Sequence, residues 1–243
     1  MHIIKLNAID STNSFLRQLS AKESVKDFTV VVAEHQTSGR GQLGAKWQSK
    51  NAKNLMFSVF KDLSGLDPAL HFYLSMAVSL AVFKALKLLQ ISTLEIKWPN
   101  DILSEQQKLC GILIENVIKQ NCLQSSIIGI GINVNQTQFR DLPKATSLQL
   151  ISGKHFDRDQ VLHEVLIQMK HYFSLIDSKL YDELKLDYES KLFRKDKPST
   201  FKDLYNNIFT GYIKGVSDSG HLMVLVEDDI IRSFELKEVQ LLY

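Results

Sequence analysis

Residues 39–44, Gly-Arg-Gly-Gln-Leu-Gly, form a glycine-rich segment with one arginine and the spacing G-x-G-x-x-G. A dinucleotide-binding loop needs its first glycine directly after a strand and a helix that begins inside the motif. Here polar residues 35–38 precede Gly39, and residues 45–51 show no helical apolar period. A protein kinase would carry H-R-D and D-F-G motifs, and the sequence has neither. The segment therefore predicts a loop that offers Arg40 and backbone N–H groups to an anion, or else an ordinary surface loop.

The segment 97–101, Lys-Trp-Pro-Asn-Asp, places a cation, an amide and a carboxylate around a proline at the end of a predicted strand. Functional side chains often lie on loops held by a rigid element. Asn100 can donate to a phosphate or ribose oxygen, and Asp101 can bind a metal ion or accept a proton from an amine. A capped turn with a surface ion pair is the alternative interpretation.

Lys108 begins a segment that is otherwise apolar up to Glu115. Strand alternation predicts that Lys108 shares a face with Cys110 and Ile112. If that face is buried, the ammonium needs an anionic partner, such as a bound carboxylate or phosphate, because an unpaired buried charge is costly. The alternative is a solvated lysine at a strand edge. Cys110 fits a core position, and Glu115 fits a solvated strand end.

Gly129 and Gly131 are two residues apart inside a predicted strand, so they share one face. Glycine weakens a strand and often marks the close approach of a ligand or of another backbone. The pattern predicts a face left bare for a flat ligand, or else a bulge or tight sheet packing.

The elements that must position these residues are strands and helices in alternation. Apolar and β-branched runs predict strands at 2–9, 29–34, 55–60, 94–98, 102–103, 109–118 and 125–134. Helices are predicted after the N-cap candidates 11–14 and at 70–90, 157–177 and 180–191. Together they predict an α/β (α+β) fold with a mixed, mostly antiparallel sheet flanked by helices.

A polar stretch at 194–202 predicts a domain boundary, with a larger domain at 1–194 and a small one at 195–243. Beyond the boundary, short strands are predicted at 209–216, 221–227, 230–236 and 239–242. Closely spaced short strands are typical of a small β-barrel. A unit this small is expected to dock on the larger domain.

Composition narrows the functional classes. The chain has 243 residues, 44% hydrophobic and 23% charged, with a net charge of +2, so no bulk electrostatic attraction to nucleic acid or anionic lipid is expected. Two cysteines exclude a disulfide scaffold and an all-cysteine zinc site. The N-terminus lacks the apolar run of a signal peptide, and Lys84 and Lys87 make 70–90 a core helix rather than a membrane span. We therefore expect a cytoplasmic protein.

Taken together and in this order, the segments resemble the biotin protein ligases. The resemblance begins at Asp10-Ser11-Thr12-Asn13 and continues through 34–41, 97–101, 108–115 and 129–133 to the barrel-like segment from Gly211 onward. It implies a catalytic domain of the class II aminoacyl-tRNA-synthetase-like, biotin/lipoate ligase type and a C-terminal SH3-like barrel. It also implies a reaction in which biotin and ATP form biotinyl-5′-AMP, whose biotin then passes to one lysine of a biotin carboxyl carrier domain. Mg²⁺ is expected with the nucleotide, and no metal site of the protein itself.

The resemblance implies a role for each matching residue. Catalytic roles fall to Lys108, Arg40 and Asp101. Biotin is expected at Ser11, Thr12, Asn13, Gln36, Gly39, Gly41, Gly111, Leu113, Gly129 and Gly131. The nucleotide is expected at Arg40, Gln42, Trp47, Asn100, Lys108 and Asn133. Some family members have a second arginine where this chain has Gln42, so phosphate binding is expected to depend more heavily on Arg40 and Lys108.

The biotin motif begins at Ser11, which leaves no room for an N-terminal DNA-binding domain, and we expect no DNA binding and no membrane partner. A sheet-edge homodimer and a monomer are both compatible with the sequence. The alternatives are a lipoate ligase or lipoyl/octanoyl transferase, a non-catalytic biotin or adenylate sensor, and a purely structural protein. Residues 11–13 and 97–101 favour biotin, and the presence of Lys108 and Asp101 argues against a sensor.

Overall fold

A computed structural model describes residues 2–64, 66–120, 122–140 and 142–243. The strands are β1 His2–Ile9, β2 Thr29–Gln36, β3 Leu55–Asp62, β4 Leu94–Lys97, β5 Asp101–Ser104, β6 Gln107–Lys119, β7 Cys122–Ile132, β8 Pro198–Asp203, β9 Ile208–Val216, β10 Leu222–Leu225, β11 Ile231–Phe234 and β12 Val239–Leu242. The helices are α1 Thr12–Lys22, α2 His71–Leu88, α3 Leu148–Ser152, α4 Arg158–Asp177 and α5 Tyr181–Ser190.

The first seven strands form one sheet in the order β1-β2-β3-β7-β6-β5-β4. Only β1 and β2 pair in parallel, and the other neighbours are antiparallel. The predicted mixed, mostly antiparallel sheet flanked by helices is therefore confirmed.

Two helical layers cover the sheet. On one face, α2 packs against α4 and α5 over the main core. On the other face, α1 lies across β2, β3 and β7, where Leu16 meets Val31 and Ile127. Because side chains alternate between the faces, every second residue of these strands points to the α1 side. That side also carries the cavity described below.

Helix α2 is the apolar stretch that the sequence predicts as a core helix. Asp67 caps the turn before it by accepting from the Ala69 N–H, with Pro68 at the first position. In the part of the chain that is described, residues 68–88 are the one helical stretch long and apolar enough to span a membrane. Its side chains are mostly buried against the sheet and α4, which confirms the core interpretation.

The last five strands form a second sheet, in the order β11-β10-β9-β8-β12. The sequence analysis did not predict β8, most of which lies inside the polar stretch 194–202. Most residues of β8 are polar, but one face of the strand points into the core. On that face Phe201 is fully buried and stacks on Phe209, with ring centroids 5.4 Å apart. Division of the chain between 194 and 195 stays a prediction.

Polar contacts fasten the second sheet to the large sheet and its helices. Trp98 Nε1 donates to the Gly220 carbonyl over 2.9 Å, and Tyr73 Oη donates to Asp218 over 3.0 Å. Glu189 accepts from the Val216 N–H at 2.9 Å. These contacts hold the second sheet beside the 97–101 segment.

Candidate active site

A cavity of about 200 Å³ opens on the α1 side of the large sheet. It is lined by Ser11, Thr12, Asn13, Gln36, Arg40, Gly41, Gln42, Ala45, Lys46, Trp47, Met56, Phe57, Asn100, Asp101, Lys108, Gly111, Ile112, Leu113, Gly129, Ile130 and Gly131. We call this cavity the slot. The structure thus brings together almost all of the residues that the sequence singled out, from five separate segments.

The floor of the slot is formed by β6 and β7. Their register sets Gly111 opposite Gly131 and Leu113 opposite Gly129. A Cβ atom at Gly131 would lie 2.4 Å from Trp47 Cε2, and one at Gly129 would lie 2.3 Å from Asn13 Oδ1. The sequence predicted a face left bare for a flat ligand. The glycines instead admit the protein's own Trp47 ring and Asn13 amide, which then present their outer surfaces to the cavity.

A polar network closes one end of the slot. Gln36 Oε1 accepts from the Thr12 N–H at 2.8 Å and from Thr12 Oγ1 at 3.1 Å. Ser58 Oγ donates to Asn13 Oδ1 over 2.5 Å and lies 2.7 Å from Thr12 Oγ1. Ser11 caps α1 and is 3% exposed, as are Thr12 and Asn13. Buried amide and hydroxyl groups held in fixed orientations suit a planar polar ring such as a ureido group.

The loop between β2 and β3 includes the predicted glycine-rich segment 39–44 and contains a tight hairpin between Gly39 and Trp47. The Trp47 N–H donates to the Gly39 carbonyl over 2.9 Å, and the Gly41 N–H donates to Ala45 over 2.7 Å. A Cβ at Gly39 would lie 2.5 Å from the Trp47 carbonyl oxygen, so glycine is required there. The hairpin carries Arg40 and Trp47 to opposite sides of the slot as one unit.

Lys108 lies opposite the hairpin and forms an ion pair with Asp101, with 2.7 Å between Nζ and Oδ1. Its predicted face was wrong. A bulge where β5 meets β6 pairs Leu103 with Lys108 but Ile102 with Cys110, so Leu109 and Cys110 are both buried. Lys108 therefore joins Gly111 on the slot face, and its Nζ is 3.3 Å from where a Gly111 Cβ would be. Cys110 lies in the core, where burial raises the pKa of its thiol.

Glu115 is a residue whose surroundings the sequence did not reveal. It was expected to be solvated at a strand end, but β6 continues to Lys119 and the Glu115 side chain is only 17% exposed. Its carboxylate is 2.7 Å from Arg40 Nη2 and 3.5 Å from Arg17 Nη1, and it accepts from Asn13 Nδ2 at 2.8 Å. Alternation beyond Gly111 and Leu113 was the available signal that it faces the slot side.

Three residues that were predicted to bind the nucleotide either have another partner, line a second cavity as well, or lie outside the slot. Asn100 lines the slot, but its amide donates to the Ile112 carbonyl over 2.6 Å. Gln42 lines the slot and a neighbouring cavity between the two sheets. Asn133 does not line the slot. It lines a separate cavity of about 410 Å³ behind Trp47 and Lys108.

This second cavity is largely apolar. It is lined by Lys46, Trp47, Gln48, Lys108, Asn133, Phe139, Leu142, Pro143, Lys144, Ala145 and Tyr243. Lys46, Trp47 and Lys108 line both cavities and so form the wall between them. The sequence did not indicate Phe139, Leu142 or Tyr243, because they come from irregular segments far apart in the chain.

Lys97 lies beneath the site and is partly desolvated, which lowers the pKa of its ammonium group, while Asp101 acts in the opposite direction. Its Nζ lies 5.3 Å from the centroid of the Tyr243 ring. Within the described residues, no three or more His, Cys, Asp or Glu side chains gather as a metal site. Arg40 and Lys108, each paired with a carboxylate, line a polar slot together with Lys46, and such a site suits an anionic substrate.

Comparisons with known proteins found a matching family, similar sequences and similar solved structures. The model of the Biotin/lipoate A/B protein ligase family matches residues 6–133. The bifunctional ligase/repressor BirA of Bacillus spizizenii is 31% identical over 238 residues, which cover 94% of this chain and 71% of that protein. The biotin--[acetyl-CoA-carboxylase] ligase of Mycobacterium tuberculosis is 32% identical over 163 residues, covering 66% of this chain and 59% of that one. The solved biotin protein ligase of Aquifex aeolicus in complex with biotin and ATP superimposes with a TM-score of 0.82 at 31% identity, over 99% of this chain and 98% of that one.

Proposed function

This chain belongs to the Biotin/lipoate A/B protein ligase family and is an ATP-dependent biotin ligase, and we propose that both of its half-reactions take place in the slot between Arg40 and Lys108. The observation that carries the proposal is that one cavity is lined by the polar network of residues 11–13 and Gln36, and also by both of these cations.

In the first half-reaction, an oxygen of the biotin carboxylate attacks the α-phosphorus of ATP, a P–O bond forms, and pyrophosphate leaves. Negative charge grows on the phosphoryl oxygens in the transition state. Fixed cations aimed at that charge stabilise it more than they stabilise the ground state. We assign this role to Arg40 and Lys108, whose partners Glu115 and Asp101 hold them in place.

In the second half-reaction, the ε-amine of a carrier lysine attacks the carbonyl of the mixed anhydride, and AMP leaves. The amine must be neutral to attack and must lose a proton afterwards. Asp101 lines the slot beside Lys108 and is the assigned acceptor of that proton. The substrate of a biotin ligase is a biotin carboxyl carrier protein or domain, and we propose one from a biotin-dependent carboxylase.

Recognition of biotin is assigned to Ser11, Thr12, Asn13 and Gln36, with the β6 and β7 glycines and Leu113 as the wall. Recognition of the nucleotide is assigned to Gln42, Trp47, Asn100 and Asn133, in addition to the two cations. The second cavity extends this assignment, because its apolar lining beside Trp47 suits a flat base.

Mg²⁺ is proposed to enter with the triphosphate. This ion keeps several waters and is usually held by substrate phosphates and one or two carboxylates, so a protein cage is not needed. Asp101 is the slot carboxylate within reach of such phosphates, and the ion would neutralise part of their charge. We further propose a cytoplasmic protein without DNA binding, in view of its nearly balanced charge. A sheet-edge homodimer and a monomer both stay compatible with the sequence.

Mass spectrometry of the protein mixed with biotin and Mg-ATP tests the first half-reaction. A bound species with the mass of biotinyl-AMP, formed only when both substrates are present, is expected. Labelled biotin, ATP and a carrier domain test the second half-reaction. If no carrier becomes labelled at any enzyme concentration, the transfer assignment is refuted.

Lipoate is the competing substrate, because it also ends in a carboxylate and its ligases share the family model. The polar network around Thr12 and Asn13 favours a ring with hydrogen-bonding groups, which lipoate lacks. Isothermal titration with each acid separates the two. Tight binding of lipoate without binding of biotin would exclude the assignment to biotin.

A further inference from the structure

Glu115 contacts two residues of the slot without lining the slot itself. Its Oε2 atom accepts from Asn13 Nδ2 at 2.8 Å and lies 2.7 Å from Arg40 Nη2. Both partners are slot-lining residues, whereas Glu115 is not among the residues that line the cavity. A single carboxylate oxygen therefore joins a residue assigned to biotin with one assigned to the phosphate.

We propose that Glu115 is a positioning residue that couples the biotin end of the slot to Arg40 of the hairpin, and so sets how long the adenylate is retained. The inference rests on the proposed function, because it needs a biotinyl-adenylate in the slot. It goes further by assigning a role to a residue that does not touch either substrate.

The chemistry of the two side chains supports a positioning role. A guanidinium has five N–H donors, and Glu115 engages Arg40 through Nη2. The remaining donors stay available for a phosphate, while the ion pair fixes the plane of the group. The side chain of Arg40 is 41% exposed and stands on a hairpin, so without this anchor it would lose order. Its rotamer freedom would then have to be lost when the adenylate binds.

Arg17 prevents Glu115 from repelling the bound anion. Its Nη1 lies 3.5 Å from the other carboxylate oxygen, so two guanidinium groups share one carboxylate. The local charge stays positive toward the slot. On the other side, Asn13 is held by Glu115 and by Ser58, and its Oδ1 accepts from Ser58 Oγ. Glu115 thus fixes which face of this amide points at the ligand.

Glu115→Gln tests the proposal, with Glu34→Gln as the matched control. Glu34 is also paired with an arginine, Arg158, at 2.8 Å, but it lies outside the slot. Two quantities are measured: the dissociation rate of preformed biotinyl-AMP, and the affinity for biotin without nucleotide. Both are repeated in an Arg40→Gln background, which removes the guanidinium on which Glu115 acts.

We expect Glu115→Gln to release the adenylate on the order of ten-fold faster than the wild type, and Glu34→Gln to release it at the wild-type rate. In the Arg40→Gln background, Glu115→Gln should accelerate release by a clearly smaller factor, because only its effect through Asn13 on the biotin part of the adenylate remains. Its effect on biotin affinity, which acts through Asn13, should persist in that background. If Glu115 only supported the fold, Glu115→Gln would accelerate adenylate release by the same factor with and without Arg40.

Unchanged release from Glu115→Gln, or the same added factor with and without Arg40, overturns the inference while leaving the proposed function intact. Failure of the wild type to form an adenylate overturns the proposed function and this inference with it. Should Glu115→Gln unfold, Glu115→Asp keeps the charge but withdraws the carboxylate by one methylene. The same acceleration is expected from it, and wild-type retention would refute the coupling.

Discussion

At the scale of single residues, two of the cations that line the slot are held in ion pairs. Arg40 meets Glu115 and Lys108 meets Asp101, both at 2.7 Å. A carboxylate partner holds each cation in a fixed orientation before the substrate arrives. Preorganised charges need little reorganisation in the transition state, which is the main source of electrostatic catalysis. In the proposed mechanism, Asp101 acts later as the proton acceptor, and it already lies beside Lys108 in the slot.

Lys108→Ala should lower the rate of adenylate formation by on the order of 10²-fold or more, because a donor to the growing phosphoryl charge is lost. Release of pyrophosphate measures this rate. Lys119→Ala removes an exposed cation from the same strand and serves as the control. Pyrophosphate release at a nearly normal rate would refute the assigned role of Lys108.

Arg40→Gly should shorten the lifetime of the bound adenylate by roughly ten- to a hundred-fold, since a hydrogen bond to a charged group is worth about 1.5–3 kcal/mol. Chasing labelled adenylate with unlabelled ligand measures the dissociation rate. Lys50→Ala is the control, because Lys50 lies in the same loop and its Nζ contacts Gln138 outside the slot. An adenylate that dissociates no faster would show that the hairpin assignment is wrong.

At the scale of elements, the slot results from the fit between one hairpin, one helix and two strands. Gly129 and Gly131 lie two residues apart on β7, and the missing side chain of each makes room for a different neighbour. Gly131 makes room for Trp47 of the hairpin and Gly129 for Asn13 of α1. These elements can approach the sheet so closely only because no Cβ stands between them.

Replacing each of the two glycines by alanine should therefore weaken the binding of a different ligand. Gly131→Ala should displace the Trp47 ring and weaken nucleotide binding more than biotin binding. Gly129→Ala should displace Asn13 and weaken biotin binding more. Titrating each ligand separately measures both effects, and removing the ring in a Trp47→Ala, Gly131→Ala double variant should recover thermal stability lost to the clash. Equal losses for both ligands in both variants would contradict the separation of the two ends.

At the scale of the whole molecule, the second sheet is attached close to the catalytic segment. Trp98, which immediately follows Lys97 and precedes Asn100 and Asp101, donates to Gly220. The 217–220 turn also meets α2 and α5, because Asp218 accepts from both Tyr73 and Lys185. Docking of the second sheet thus supports the 98–100 turn, which leads directly into Asp101 at the start of β5.

Asp218→Asn should lower the free energy of unfolding by no more than about 1 kcal/mol at neutral pH, because the carboxylate is 70% exposed. Hydrogen bonds from Lys185 and Tyr73 lower the pKa of Asp218 below its ordinary value near 3.8. Its stabilisation is therefore complete above that value and is lost as the pH falls through the lowered pKa.

The difference in stability between the wild type and Asp218→Asn should accordingly shrink on acidification. Urea unfolding at neutral and at low pH measures it, with Glu227→Gln, an exposed carboxylate in a turn of the same sheet, as the control. A difference that stays constant down to low pH would show that the charge of Asp218 is not responsible.

Local patterns in the sequence were enough to predict the mixed sheet, the four longer helices and the segments that supply the slot. Strand alternation, apolar helical periods and capping residues are local signals, and they predicted elements such as α4, which begins one residue after its cap Asp157. The polar motifs were likewise visible because each lies within a few consecutive residues.

The surroundings of the site residues depend on tertiary contacts, which the sequence patterns did not predict. A bulge turned Lys108 to the slot side, and alternation could not reveal it because the extra residue depends on the pairing with β5. Packing between distant segments made Glu115 a partner of Arg17 and Arg40, residues 98 and 75 positions away by number. β8 escaped notice because its few apolar residues become a core face only when β9 pairs with it. Contacts between distant segments depend on register and packing, which no local pattern encodes.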